Sequence, residues 1–129
     1  MNTTIVQNIY NAFRAKDISA VLQYQSSDAE WSVAGPADKI PWARVKKGPD
    51  GVADFLRILG QLLIPHVFEI TDYLAQGDKV IALGHQSGVV RPTNKPYAFD
   101  FVHVWELQNR KITRFRVYYD SFYVASVLE

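Results

Sequence analysis

Apolar residues recur at helical spacing over the first half of the chain and at every second position over much of the rest. Ile5, Ile9, Ala12 and Phe13 follow Thr3 and Thr4, either of which can supply an N-cap oxygen, and predict an amphipathic helix that ends near Lys16. Asp17 is placed to cap a short second helix carrying Ile18, Val21 and Leu22. Ser26-Ser27-Asp28 then reads as a break before a strand around Glu30-Trp31-Ser32-Val33. From Gly35 to Lys47 there is no sustained period, and Pro36 and Pro41 interrupt the run, so a long loop is expected, of the kind that often covers a site. Gly48-Pro49-Asp50-Gly51 opens a third helix whose stripe is Val52, Phe55, Leu56, Leu59, Leu62 and Leu63, with Pro65 as its stop.

Beyond His66 the punctuation changes to short turns between β-rich runs. Val67 to Leu74 predicts one strand, Gln76-Gly77-Asp78 its turn, and Lys79 to Val90 the next strand. Arg91 to Pro96 forms a turn, and Tyr97 to Leu107 and Ile112 to Asp120 are joined by Gln108-Asn109-Arg110-Lys111, short enough to require antiparallel neighbours. Ser121 to Glu129 fits a last helical turn or a strand end. Helices first and a hairpin-rich sheet after them predict an α+β architecture, a single domain over residues 1–129 with no repeat or linker.

Alternation assigns faces. Phe99, Phe101, His103, Trp105 and Leu107 share one side of their strand, and Phe115, Val117 and Tyr119 share the matching side of the last strand. These sides are expected to meet the helices. The opposite face mixes Val102, Val104 and Tyr118 with Glu106, Arg114 and Arg116, a surface suited to a second subunit and hence to a homodimer through the outer sheet face. Gly84 and Gly88, four apart in a strand of β-formers, predict bends or bulges. A sheet bent over three helices leaves space it cannot fill, and a concave space lined by aromatics is the default binding site.

Composition narrows the chemistry. A formal net charge of +1 on 129 residues gives no basic field for nucleic acid, and the absence of cysteine excludes disulfides, thiolate catalysis and Cys-ligated zinc. No leader-like start or membrane-length apolar run is visible, so a cytoplasmic protein with no membrane partner is expected. His66, His85 and His103 lie in separate segments without HxH or HExxH spacing, so no metal site is expected, and the glycines match neither a phosphate loop nor a dinucleotide fingerprint, so no cofactor is implied. Ser87 is not in a GxSxG elbow. Lys46-Lys47 reads as a solvated loop, and Asp100 and Asp120 as structural ion pairs with nearby arginines.

Three stretches, Tyr10 to Ile18, Gly48 to Phe55, and Val102 to Leu107 through Phe115 to Asp120, taken in order, resemble the SnoaL-like and ketosteroid-isomerase-like branch of the nuclear transport factor 2-like superfamily. The resemblance runs nearly end to end and implies a cone of three helices on a curved sheet, commonly dimeric. It does not carry the usual catalytic groups. The acid that steroid isomerases use as a base falls at Val33, their first-helix tyrosine at Ile9, and only the position of their acid donor, near His103, keeps a polar group. The Arg-x-Asp and last-strand Asp of limonene-type epoxide hydrolases fall at Gly84, Gln86 and Val117, and the last-strand acid of the cyclases also falls near Val117.

The candidate site therefore rests on His103, as acid, base or donor, with Tyr119 beside it as a second catalytic candidate. Tyr119 or a backbone carbonyl is also the expected partner if His103 is simply a satisfied core histidine. Gln86 can hold a ligand oxygen or amide, and Trp31, Val33, Trp42, Phe55, Phe99, Phe101 and Val117 are expected to hold an apolar body. Two functions fit: a cofactor-independent isomerase, cyclase or dehydratase acting on a small apolar or aromatic molecule, or a binding or scaffolding module using the same cavity without chemistry.

Overall fold

The computed structural model describes residues 1–129. Helix α1 spans Asn2–Arg14 and α2 spans Ile18–Gln23, with the Asp17 carboxylate accepting the amide of Ala20 as its cap. Strand β1 (Gln25–Val33) and the two-residue β2 (Lys46–Lys47) lead into α3 (Gly48–Leu62). The long strands β3 (Leu63–Gln76), β4 (Lys79–Val90), β5 (Pro96–Gln108) and β6 (Lys111–Tyr119) follow, and α4 (Ser121–Val127) closes the chain. The architecture is α+β, with one six-stranded sheet in the order β2-β1-β6-β5-β4-β3. Every pairing is antiparallel except β1 with β6, where Trp31 faces Phe115 and Val33 faces Val117.

Several boundaries differ from the sequence pattern, each for a physical reason. Ser26, Ser27 and Asp28 lie inside β1, where a bulge between Gln25 and Glu30 absorbs their turn tendency. Leu63 starts β3 instead of ending α3. Pro65 sits inside that edge strand, where a missing N–H is tolerated. Lys46-Lys47 is not a free loop: it pairs with Glu30 and Trp31, and Lys46 donates to Asp54 at 2.5 Å. Asp120 is a helix cap accepting the amide of Tyr123, and Asp100 pairs with His85 at 2.8 Å, so neither carboxylate meets an arginine. The hairpin Asn109-Arg110 has φ of 52° and 67°, the left-handed pair that a two-residue turn requires.

Curvature comes from β3 and β4. Register slips between Pro65 and Val67 and between Ile70 and Asp72 put an extra β3 residue opposite the neighbourhood of Gly88 and of Gly84. Both glycines permit close approach: a Cβ on Gly88 would lie 2.0 Å from the carbonyl oxygen of Ile64, and one on Gly84 2.4 Å from the Phe101 ring. The bent sheet wraps the buried faces of α1 and α3, and the loop between β1 and β2 closes one end with Ile40 and Trp42 almost fully buried.

Candidate functional site

A cavity opens between the concave face of the sheet and the helices. It is lined by twenty residues, of which eighteen are hydrophobic and only Gln86 and His103 are not. No Asp, Glu, Lys or Arg reaches it. Its free volume is about 70 Å³ and it is open to solvent on one side, which is room inside for a small cluster of waters where roughly 10–15 Å³ holds one. Phe13, Leu56, Leu59 and Phe68 on the helix and β3 side, and Val33, Gln86 and Tyr119 on the sheet, are lining residues that stay half-buried. A second, shallower groove of about 680 Å³ lies on the outer sheet face over His85, Asp100, Val102 and Tyr118. It is open to solvent, and Phe101 and Tyr119 border both it and the inner cavity.

The structure brings all ten candidates to the inner cavity: His103, Tyr119, Trp31, Val33, Trp42, Phe55, Gln86, Phe99, Phe101 and Val117. Strand parity accounts for this. His103 and Val117 are cross-strand partners, as are Phe101 and Tyr119, and Gln86 faces Phe99.

The polar wiring differs from expectation. His103 Nδ1 lies 2.6 Å from the hydroxyl of Tyr10, and that same hydroxyl accepts the indole N–H of Trp105 at 2.9 Å. Indole nitrogen only donates, so the Tyr10 oxygen is the acceptor on that side, and its proton is satisfied by donation to His103 Nδ1. With the Tyr10 proton donated to Nδ1, the imidazole carries its hydrogen on Nε2. His103 Nε2 has no hydrogen-bond partner in the chain, and Arg116 Nε is the one fully buried side-chain nitrogen or oxygen left unpaired. Nε2 is thus not sealed in protein, and its N–H opens on the cavity.

Burial fixes the charge states. His103 is pushed down to about 3 by desolvation, so it is neutral at physiological pH. Burial likewise holds the Tyr10 phenol above its ordinary range, and Tyr119 is pushed up to about 12 by burial, against the Trp42 hydrogen bond. Phe101 stacks on the His103 ring at 4.2 Å between centroids, and Phe115 meets it edge-on at 4.9 Å.

Tyr10 is the residue that the sequence reading missed. Ile9, where the resemblance puts the first-helix tyrosine, brings no hydroxyl, and the neighbouring Tyr10 supplies one to His103. The signal was present, because Val6, Ile9, Tyr10 and Phe13 follow the i, i+3, i+4, i+7 template, and α1 buries Val6, Ile9 and Tyr10. Tyr119 is not the partner of His103: its oxygen accepts the Trp42 indole N–H at 2.8 Å. Trp42, from the long loop, is a deep wall of the cavity, 1% exposed. Gln86 Oε1 accepts the Tyr97 hydroxyl at 3.0 Å.

With the fold and cavity in view, the class is that of a curved-sheet pocket protein. Residues 6–115 match the SnoaL-like domain, and the chain belongs to that family. Among solved structures it is similar to an NTF2-like protein of Burkholderia xenovorans LB400, with 26% identity over 99% of this chain and 95% of that one and a TM-score of 0.90. An NTF2-like protein of Burkholderia thailandensis E264 is 26% identical over 99% and 97% of the two chains, with a TM-score of 0.88. TerC, co-crystallised with polyporic acid, is 25% identical over 98% and 97%, with a TM-score of 0.87. Comparison with curated proteins by sequence returns no match. No helix is long and apolar enough to cross a membrane.

Proposed function

We propose that this protein binds a small, flat, largely apolar molecule and anchors one of its oxygens on the Nε2–H of His103. The observation that carries this reading is a neutral imidazole, fixed at Nδ1 by Tyr10, whose one free edge opens into an uncharged aromatic cavity. The Trp105-to-Tyr10-to-His103 chain polarises that edge, since each bond strengthens the next where water is excluded.

The same geometry argues against proton abstraction. A histidine held near 3 is a weak base, no carboxylate lines the cavity, and burial keeps Tyr10 protonated. An isomerase, cyclase or dehydratase activity is favoured by one observation only: a positioned neutral N–H can polarise a carbonyl as charge develops on its oxygen. Chemistry here would be led by that polarisation. A homodimer through the outer face is part of the same reading, supported by exposed Tyr118 beside Val102, Val104 and the Glu106, Arg114 and Arg116 group.

The test is ligand titration by thermal shift and calorimetry with naphthalene, 1-tetralone and, because a 25% identical structure holds it, polyporic acid. The expected result is that 1-tetralone binds about 5–10-fold more tightly than naphthalene, the value of one hydrogen bond, and that His103→Phe removes this preference. Absence of binding by all three would overturn the reading. Should a substrate be found, a loss of roughly 10²–10⁴ in turnover for His103→Gln would establish the catalytic version.

A further inference from the structure

The outer face of the sheet sorts its charges by register. Lys79, Glu106, Arg114 and Glu30 stand in one row across β4, β5, β6 and β1, where their signs alternate and cancel. Arg116, two residues further along β6, is left over. Its guanidinium carries five N–H donors, yet the chain offers it one acceptor: Glu106 Oε2 at 3.2 Å, an oxygen that also stands 3.9 Å from Arg114. Its Nε is buried without a partner. At the other end of the same face, Glu69, His85 and Asp100 form a row across β3, β4 and β5, two carboxylates to one imidazole, and the Asp100 side chain is 90% exposed. Leu83, Val102 and Tyr118, themselves cross-strand neighbours, lie between the two ends. Tyr118 is exposed and the other two are half-buried, so the face is cationic at one end, anionic at the other and apolar in the middle.

We infer that this face receives a second copy of the chain in one register, with the Asp100 carboxylate of each copy on the Arg116 guanidinium of the other. This rests on the dimer reading above and adds to it how the two copies meet. Val102 pairs with Tyr118 on antiparallel strands, so Asp100, two residues along β5, and Arg116, two residues along β6, lie on opposite sides of that pair. At about 3.4 Å per residue each stands roughly 7 Å from it. A twofold axis lying between the two sheets, across the strands and over the Val102–Tyr118 pair, carries the anionic end of one copy onto the cationic end of the other. The contact is isologous, so it makes the ion pair twice and brings the two apolar centres together. An axis along the strands would instead set acidic row on acidic row and Arg116 on Arg116, and like charges across an interface reject that register.

The experiment is sedimentation equilibrium on the wild-type chain, Asp100→Arg, Arg116→Glu and the double variant, with thermal unfolding of each to show that it is folded. We expect a wild-type dimer, association weaker by at least about 10-fold in each single variant, where like charges meet twice, and recovery to within about 3-fold of wild type in the double variant, where the charges have changed places. Should Arg116→Glu not fold beside Glu106, Arg116→Gln in the Asp100→Arg background takes its place, and it should recover at least about 3-fold of the loss by removing one of the two like charges. Single variants that associate as wild type does, or a loss that the second substitution does not recover, would overturn this register while leaving a dimer through the outer face intact. A wild-type chain that stays monomeric at high micromolar concentration would overturn the dimer reading and the register with it.

Discussion

The hydroxyl of Tyr10 bridges His103 and Trp105, joining α1 to β5 across more than ninety positions of sequence. Tyr10→Phe would leave His103 Nδ1 and the Trp105 N–H unpaired in a dry interior. Two orphaned groups predict a loss of about 2–4 kcal/mol and a fall in thermal midpoint of roughly 8–16 °C at about 4 °C per kcal/mol. Calorimetric unfolding of the variant checks this, and a fall under 3 °C would show that the bridge carries little.

Stability should depend on pH through the same histidine. His103 titrates near 6.5 when unfolded and is depressed to about 3 when folded, so below about 6.5 the unfolded chain binds a proton that the native state refuses. Its contribution is fully present above that pH and is lost as pH falls toward 3, at roughly 1.4 kcal/mol per pH unit. At the other end, Tyr119 stays protonated to about 12, so stability also declines once free tyrosine ionises near pH 10. Urea unfolding from pH 3.5 to 8 should show a shallower acid slope for His103→Phe than for wild type; parallel slopes would exclude His103 as the cause.

Gly84→Ala should push the Phe101 ring out of its stack on His103, since the new methyl carbon would lie 2.4 Å from that ring and 2.7 Å from the carbonyl of Glu69. Overpacking of this kind costs about 1–3 kcal/mol. Gly88→Ala sets its methyl 2.0 Å from a backbone oxygen, which cannot swing aside, and should be the more damaging of the two. Denaturant midpoints of the pair give the order, and the reverse order would refute the assignment.

Association through the outer face is tested by charge reversal. Arg116 donates to Glu106 at 3.2 Å and keeps a buried Nε without partner, in a patch where Tyr118 is 44% exposed. Light scattering at high micromolar concentration should report a dimer for wild type and a larger monomer fraction for Arg116→Glu. A monomeric wild type ends the proposal.

The face assignments of β5 and β6 were legible because alternation is a local rule: Phe99, Phe101 and His103 on one side follow from counting by two. The helical stripe of α3 was legible for the same reason. What was not legible depends on partners far away in sequence. Nothing near Trp42 indicates Tyr119, and nothing near Asp100 indicates His85, because the first pair joins the β1–β2 loop to β6 and the second depends on the register of β4 against β5. Pro65 looked like a terminator and lies instead in an edge strand, where its missing N–H is harmless. Tyr10 differs, because its place on the buried face of α1 follows from helical spacing while its bond to His103 depends on β5.

The single parallel pairing has a consequence for how the chain is made. β1 finds its long neighbour only in β6, with Trp31 opposite Phe115 and Val33 opposite Val117. On the ribosome, the N-terminal helices and β1 emerge well before β6, so Trp31 waits without its cross-strand partner through most of synthesis. Local hairpins of β3, β4 and β5 can zip as they appear, but the cavity cannot close until nearly the last residue is released. Such non-local closure slows folding and leaves an apolar strand open to wrong partners meanwhile. Truncation before residue 111 should therefore yield an aggregating chain rather than a smaller pocket.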